Sequence, residues 1–206
     1  MRYKSGYKTE NIDTHYDWSN WGQFSDAVEM CNNNGACRKL DSGVMCPSYR
    51  VTKEEKDLVR GRANTLRLAL SNQLPEGSFA SKEMYETMEL CVSCKACQRE
   101  CPMSVDMAKM KSEFLSHYYK KFSMRIKDRV ISDMPRLIWL LKFVAPIFNK
   151  IKNIPLISTI VEKFGFATAR TMPEVQNQNA LKEVYRCQTV SENKVILFAD
   201  TFNTVS

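Results

Sequence analysis

Residues 91–102 read CVSCKACQRECP, four cysteines spaced C-x2-C-x2-C-x3-C with a proline directly after the last. In this spacing three thiolates hold one iron–sulfur cubane and the fourth reaches a second one. A tight loop and the first turn of a helix gather three sulfurs on one side of a cluster, where unpaired amides can point at inorganic sulfide. Pro102 then blocks continuation of the helix and turns the chain away. A zinc ribbon would require two C-x2-C knuckles separated by about 15–20 residues. A disulfide framework would require a secreted chain, and nothing in this sequence marks one.

Upstream, residues 31–50 read CNNNGACRKLDSGVMCPSYR. Set on the template C-x2-C-G-x-C, they supply Cys31, then Asn34 where a second cysteine belongs, then Gly35 and Cys37. Cys46-Pro47 closes the run after a longer spacer than usual, so this is a second cluster motif with one ligand replaced. If the fourth cysteine of each motif crosses to the other cluster, Cys46 joins Cys91, Cys94 and Cys97 in a complete four-thiolate cage for a 4Fe-4S cluster. Cys31, Cys37 and Cys101 then form a three-thiolate site with Asn34 at the vacant corner. That second site would hold a 3Fe-4S cluster, a 4Fe-4S cluster with a non-cysteine ligand, or no stable cluster. No residue reads as catalytic.

Eight cysteines in 206 residues point to metal ligation in a reducing compartment. The opening MRYKSGYKTE lacks the apolar core of a secretory signal, and no uninterrupted apolar run reaches the roughly 18 residues of a spanning helix. A cytoplasmic location, with a peripheral place at the inner face of the membrane as a variant, is the expectation. The formal charge of +7 is uneven: residues 108–170 hold 13 Lys and Arg against four Asp and Glu. Such a block suits either an anionic neighbour, lipid headgroups among them, or a solvated helical face. Nucleic acid is not expected, because recognised motifs are lacking and the apolar run inside the block is wrong for a phosphate groove.

The fold expected is mainly α, an α-helical ferredoxin-type iron–sulfur domain at 25–125 behind an irregular arm at 1–24. Helical rather than strand spacing between the two motifs argues against the small βαβ type. Trp18 and Trp21 in the arm read as packing residues. Ser25 reads as the cap of a short helix through Val28, and Thr52 to Glu55 as a capping box opening the next, with Val59, Ala63, Leu66 and Leu70 as its apolar stripe. Arg60, Arg62 and Arg67 on that helix are either a solvated face or positive charge held near a cluster to raise its potential. Ser81 and Asp106 cap the helices that enter and leave the second motif, and their methionines read as core filler. Residues 126–170 form a basic and apolar helical segment. Within it, Pro135 to Pro155 reads as a buried helical hairpin, the alternative being a surface element with lysines reaching the headgroups. Residues 171–206 read as a linker holding an unattached Cys187 and a single truncated strand, Val195 to Ala199, at the start of a following domain.

The segments EMCNNNGACRKL, MCPSYRVTKEEKD, RGRAN and LCVSCKACQRECPMSVDMAKMKSEF resemble the iron–sulfur half of the large FAD-linked D-2-hydroxy-acid dehydrogenases, of the D-2-hydroxyglutarate and D-lactate dehydrogenase type. The iron–sulfur subunit of glycolate oxidase is similar but usually has a complete first motif. The C-x5-C part also resembles the three-iron site of the succinate dehydrogenase iron–sulfur subunit. The resemblance implies that electrons leave a reduced flavin and pass through these clusters to an acceptor, a quinone or a carrier. It also implies a partner, a FAD-binding dehydrogenase domain or subunit, because no glycine-rich dinucleotide loop and no convergent His/Arg/Asp set is present here. On this reading the chain is a fragment or split subunit that oxidises nothing by itself. The rival within redox chemistry is an iron–sulfur subunit of a succinate dehydrogenase-like or heterodisulfide reductase-like complex.

Overall fold

All regular structure among the described residues is helical. The computed structural model describes residues 7–151, 154–167 and 174–175; Cys187 and the expected strand at Val195 lie outside them. The chain divides into two units, 1–123 and 124–206.

The first unit is built on α3, Val59–Leu70, which packs against α1 (Phe24–Glu29), α4 (Lys82–Glu89) and α6 (Met107–Lys121). Two shorter helices, α2 (Pro47–Thr52) and α5 (Ala96–Glu100), follow directly from Cys46 and Lys95. Val59, Ala63, Leu66 and Leu70 of the α3 stripe are buried together with Met84, Met88, Met107 and Met110. An aromatic ladder from Phe24 through Phe79 to Phe114 and Tyr118 runs along the side of this core, with ring centroids 5.7–6.2 Å apart. Edge contacts of this kind add to simple burial.

Where each helix begins follows from its local chemistry. Asp106 accepts from Lys109 N at 3.0 Å and Ser81 from Met84 N at 3.2 Å, each satisfying an amide that the first turn leaves open. Two other starts differ from expectation. The first helix begins at Phe24, so Ser25 lies inside it, buried, and Gln23 is the cap residue. Thr52 ends α2 instead of opening a helix: its Oγ1 accepts from Glu54 N across a turn, and α3 starts only at Val59. The intervening turn Glu55–Asp57 must pass close to α3, and Gly61 allows this, since a Cβ there would stand 2.0 Å from the Glu55 carbonyl oxygen.

The N-terminal arm packs on its own domain. Glu10 N donates to Leu70 O, and Trp18, 3 % exposed, joins the core beside Phe24 and Trp21. Glu113, fully buried on α6, accepts from His15 N (2.9 Å), Tyr16 N (3.0 Å) and Trp18 Nε1 (3.0 Å). Burial alone would lift this carboxyl, but those three donors and the neighbouring His117 outweigh it and hold the group below the usual carboxylate range.

In the second unit α7 spans Ile126–Ile151 and α8 spans Pro155–Lys163. The expected hairpin between Pro135 and Pro155 is instead one helix that continues through Pro135 and Pro146. Each proline removes one amide bond and crowds the preceding turn, yet its φ is near the helical value and the helix runs on through both. Nor is it buried: Phe143 is 75 % and Ile147 64 % exposed. Apolar side chains including Val130, Leu137, Phe148 and Phe164 line a groove of about 420 Å³. Among the described residues no helix is long and apolar enough to cross a membrane.

Candidate metal centre

Cys91 and Cys94 lie on the loop that leads from α4 into α5, and Cys97 in the first turn of α5. Ser93 (φ 53°) and Lys95 (φ 57°) adopt the left-handed conformation in this loop. Each such non-glycine residue costs about 1–2 kcal/mol, and alternation of this kind turns successive amides toward one point, as an anion requires. Cys46, also left-handed (φ 53°), precedes α2. The structure brings these four cysteines around one small cavity of about 20 Å³. Cys46 and Cys97 are buried, Cys91 half-buried and Cys94 exposed, so one edge of the cavity faces outward.

The other three stand together elsewhere. Cys31 and Cys37 are buried and Cys101 half-buried. Burial pushes the Cys31 and Cys37 thiols up, and the nearby Cys101 sulfur adds to this in both. Cys46 feels both Cys37 and Cys97, so the two groups of cysteines are neighbours. Among the described residues no three His, Cys, Asp or Glu side chains converge tightly enough to hold a single metal ion. Cys46, Cys91, Cys94 and Cys97 line a common space.

The surroundings of the sulfurs fit an anionic cluster. Val59 N, at the start of α3, donates to Cys46 Sγ at 3.2 Å. The backbone amide of Arg60 favours the Cys37 thiolate, and those of Met107 and Ala108, at the start of α6, favour the Cys97 thiolate. Helix N-termini carry partial positive charge and open amides, both of which favour anionic sulfur. Burial nevertheless pushes the Cys46 thiol up to about 12. Thiols held this way ionise only against a strong cationic partner, which iron supplies.

Asn34 sits in the Cys31–Cys37 loop with its side chain engaged locally. Its Oδ1 accepts from Ala36 N at 2.8 Å, and its Nδ2 donates to Asn32 Oδ1 at 2.7 Å. Gly35 next to it takes φ 79°, a left-handed turn in which a side chain would also approach Arg60 Nη1.

The arginines of α3 are not a solvated face. Arg62 is 1 % exposed and lines the cavity of Cys46, Cys91, Cys94 and Cys97. Arg67 is buried and donates to the carbonyls of Glu29 and Cys31, closing the end of α1 next to the first cysteine. Arg60 bonds Glu55 at 2.6 Å and lies beside Cys31 and Cys37. The stripe Val59, Ala63, Leu66, Leu70 already holds this information, since positions 62 and 67 fall on the same helical face.

Other positioning groups carry no sequence signal. Glu100 accepts from Val44 N and Met45 N, fastening the loop before Cys46 to α5. Arg50 donates to the carbonyls of Leu40, Ser42 and Gly43 and so folds the long spacer.

Comparison with known proteins supports the chemistry. Residues 27–105 match the 4Fe-4S dicluster domain family. The chain is also similar to curated enzymes named D-2-hydroxyglutarate dehydrogenase. The one from Pseudomonas putida is 25 % identical over 93 % of this chain and 23 % of its own length. Those from Escherichia coli and Haemophilus influenzae are 27 % and 25 % identical over 68 % and 79 % of this chain and 17 % and 19 % of theirs. The chain thus spans about a fifth of the length of these relatives. No solved structure gives a match.

Proposed function

We propose that this chain, whose residues 27–105 are a 4Fe-4S dicluster domain, is the electron-transfer module of a FAD-linked D-2-hydroxy-acid dehydrogenase. Electrons come from reduced FAD on a further domain or a partner subunit and leave to a quinone or a soluble carrier. The observation that carries this reading is the division of the cysteines. Cys46 joins Cys91, Cys94 and Cys97 around one cavity, while Cys101 stands with Cys31 and Cys37.

In the proposed assignment Cys46, Cys91, Cys94 and Cys97 hold a 4Fe-4S cluster. Cys31, Cys37 and Cys101 hold a second cluster, of 3Fe-4S type or of 4Fe-4S type with a non-cysteine ligand. A cluster bound in either place takes up and releases single electrons. The chain's own work is to hold the thiolates, aim the Val59, Met107 and Ala108 amides at them, and shield them by burial. Exposed Cys94, with Val92 at 66 % exposure beside it, marks the edge at which the redox partner docks. The exposed apolar residues and lysines of α7 are the surface assigned to the partner or to lipid headgroups at the inner face of the membrane.

Electron paramagnetic resonance on anaerobically reconstituted protein, oxidised and after dithionite, tests the proposal, with iron and sulfide counted. The expected result is a three-iron signal when oxidised and a four-iron signal when reduced, with no turnover of D-2-hydroxyglutarate until a flavoprotein is added. Turnover by the isolated chain, or absence of any cluster, would overturn it.

A further inference from the structure

Arg62 presents a charge problem that its protein neighbours solve only loosely. A guanidinium keeps its proton under all ordinary conditions, and burying it in a low-dielectric interior is costly unless an anion balances it. Its donors are met mainly by neutral acceptors: Nε by Thr87 O (3.0 Å), Nη1 by Asp57 O (2.7 Å) and Nη2 by Ser48 Oγ (3.2 Å). The Asp57 carboxylate stands 3.7 Å from Nη2, at the outer edge of an ion pair. That carboxylate is itself fully buried, and neither of its oxygens has a hydrogen-bond partner among the described residues. Of this loosely matched buried pair, Arg62 lines the cavity that Cys46, Cys91, Cys94 and Cys97 share.

Four thiolates around a cubane bring net negative charge to that cavity, and every electron added increases it. We infer that Arg62 is the counter-cation of the cluster in the four-thiolate cage, stabilising its reduced form, and that Asp57 weakens this effect. The inference rests on the cage assignment proposed above. It separates two arginines that sequence leaves alike: Arg62 serves the four-thiolate cage, and Arg60, beside Cys31 and Cys37 and 21 % exposed, serves the three-thiolate site. A buried charge is screened far less than an exposed one, so its influence on a neighbouring redox group is the larger.

Redox titration of the anaerobically reconstituted full chain, followed by electron paramagnetic resonance, tests this. In Arg62→Gln the reduced-to-oxidised ratio of the four-iron signal at fixed potential is expected to fall about tenfold or more, a midpoint lowered by about 59 mV for a one-electron couple. Arg62→Lys keeps the charge and should recover most of the loss. Asp57→Asn removes the opposing charge and should move the midpoint upward. Arg60→Gln should move the signal of the three-thiolate site and leave the four-iron midpoint in place. An unchanged midpoint in Arg62→Gln would overturn the inference. If that variant does not load, Asp57→Asn decides: a rise supports the inference, and no change or a fall overturns it. Wild-type protein without a four-iron signal would instead overturn the cage assignment itself, a failure distinct from an absent shift.

Discussion

Replacing Glu113 with Gln removes one charge at the point where the N-terminal arm is fastened. The carboxylate satisfies His15 N, Tyr16 N and Trp18 Nε1 at 2.9–3.0 Å. Gln offers one acceptor oxygen to three donors, and its NH₂ group turns a donor toward a donor. The Trp18 indole is buried and has no route to water, so its orphaned N–H alone costs about 1–3 kcal/mol, and loss of bonds to a charged acceptor brings the total to about 2–4 kcal/mol. For a unit of this size that corresponds to a drop of about 8–16 °C in midpoint temperature. Circular dichroism at 222 nm on reconstituted protein measures it, and amide exchange at His15 and Tyr16 shows whether the arm has lifted. The effect carries a pH signature. Because the Glu113 carboxyl is held below its ordinary value, its contribution is complete above the unfolded value of about 4.3 and disappears as pH falls through the lower folded value. Wild type and Glu113→Gln should therefore differ fully at pH 7 and converge under acid. A loss below about 0.5 kcal/mol, the scale of an ordinary surface substitution, or a difference that persists in acid, would refute the clamp.

Three further outcomes follow from the same packing. Gly61→Ala should destabilise the first unit by about 1–3 kcal/mol despite alanine's better helix propensity, because its Cβ would lie 2.0 Å from Glu55 O; chemical denaturation checks this, and a stabilised variant would contradict it. Phe114→Ala, with its ring fully buried between Phe79 and Tyr118, should cost about 3–5 kcal/mol in the same assay. Cys101→Ser should abolish the three-iron signal while leaving the four-iron signal, and Cys94→Ser should do the reverse. Loss of both signals from either substitution would argue against two separate ligand sets.

Much of the helical frame was legible because its signals are local. The Ser81 and Asp106 caps work within a single turn, and the α3 stripe needs only the helical period. The two misplaced helix starts have a common cause. Ser25 and Thr52 have the right chemistry for caps, but a hydroxyl caps only where the chain enters the helix extended, and the packing of Phe24 and the turn at Glu55–Asp57 moved those entries. The α7 reading failed differently. An apolar run specifies that a surface will be covered, not that this chain covers it, and Phe143 and Ile147 stay exposed here.

By itself the sequence singled out the cysteines proposed to carry the chemistry, since cysteines two or three positions apart on one loop hold their sulfurs close together. It also determined the helical class, because capping and periodicity act over a few residues. The crossing of Cys46 to the second motif and of Cys101 to the first was already an expectation of the spacing. The tertiary structure adds that Cys46 lines one cavity with Cys91, Cys94 and Cys97 and that Cys101 lies near Cys31 and Cys37. It alone decided that Arg62 turns inward to that cavity while Arg60, two residues away, keeps an exposed partner in Glu55. Charge is written in the sequence, but its energy depends on what surrounds it, and that is set by packing between segments far apart in the chain.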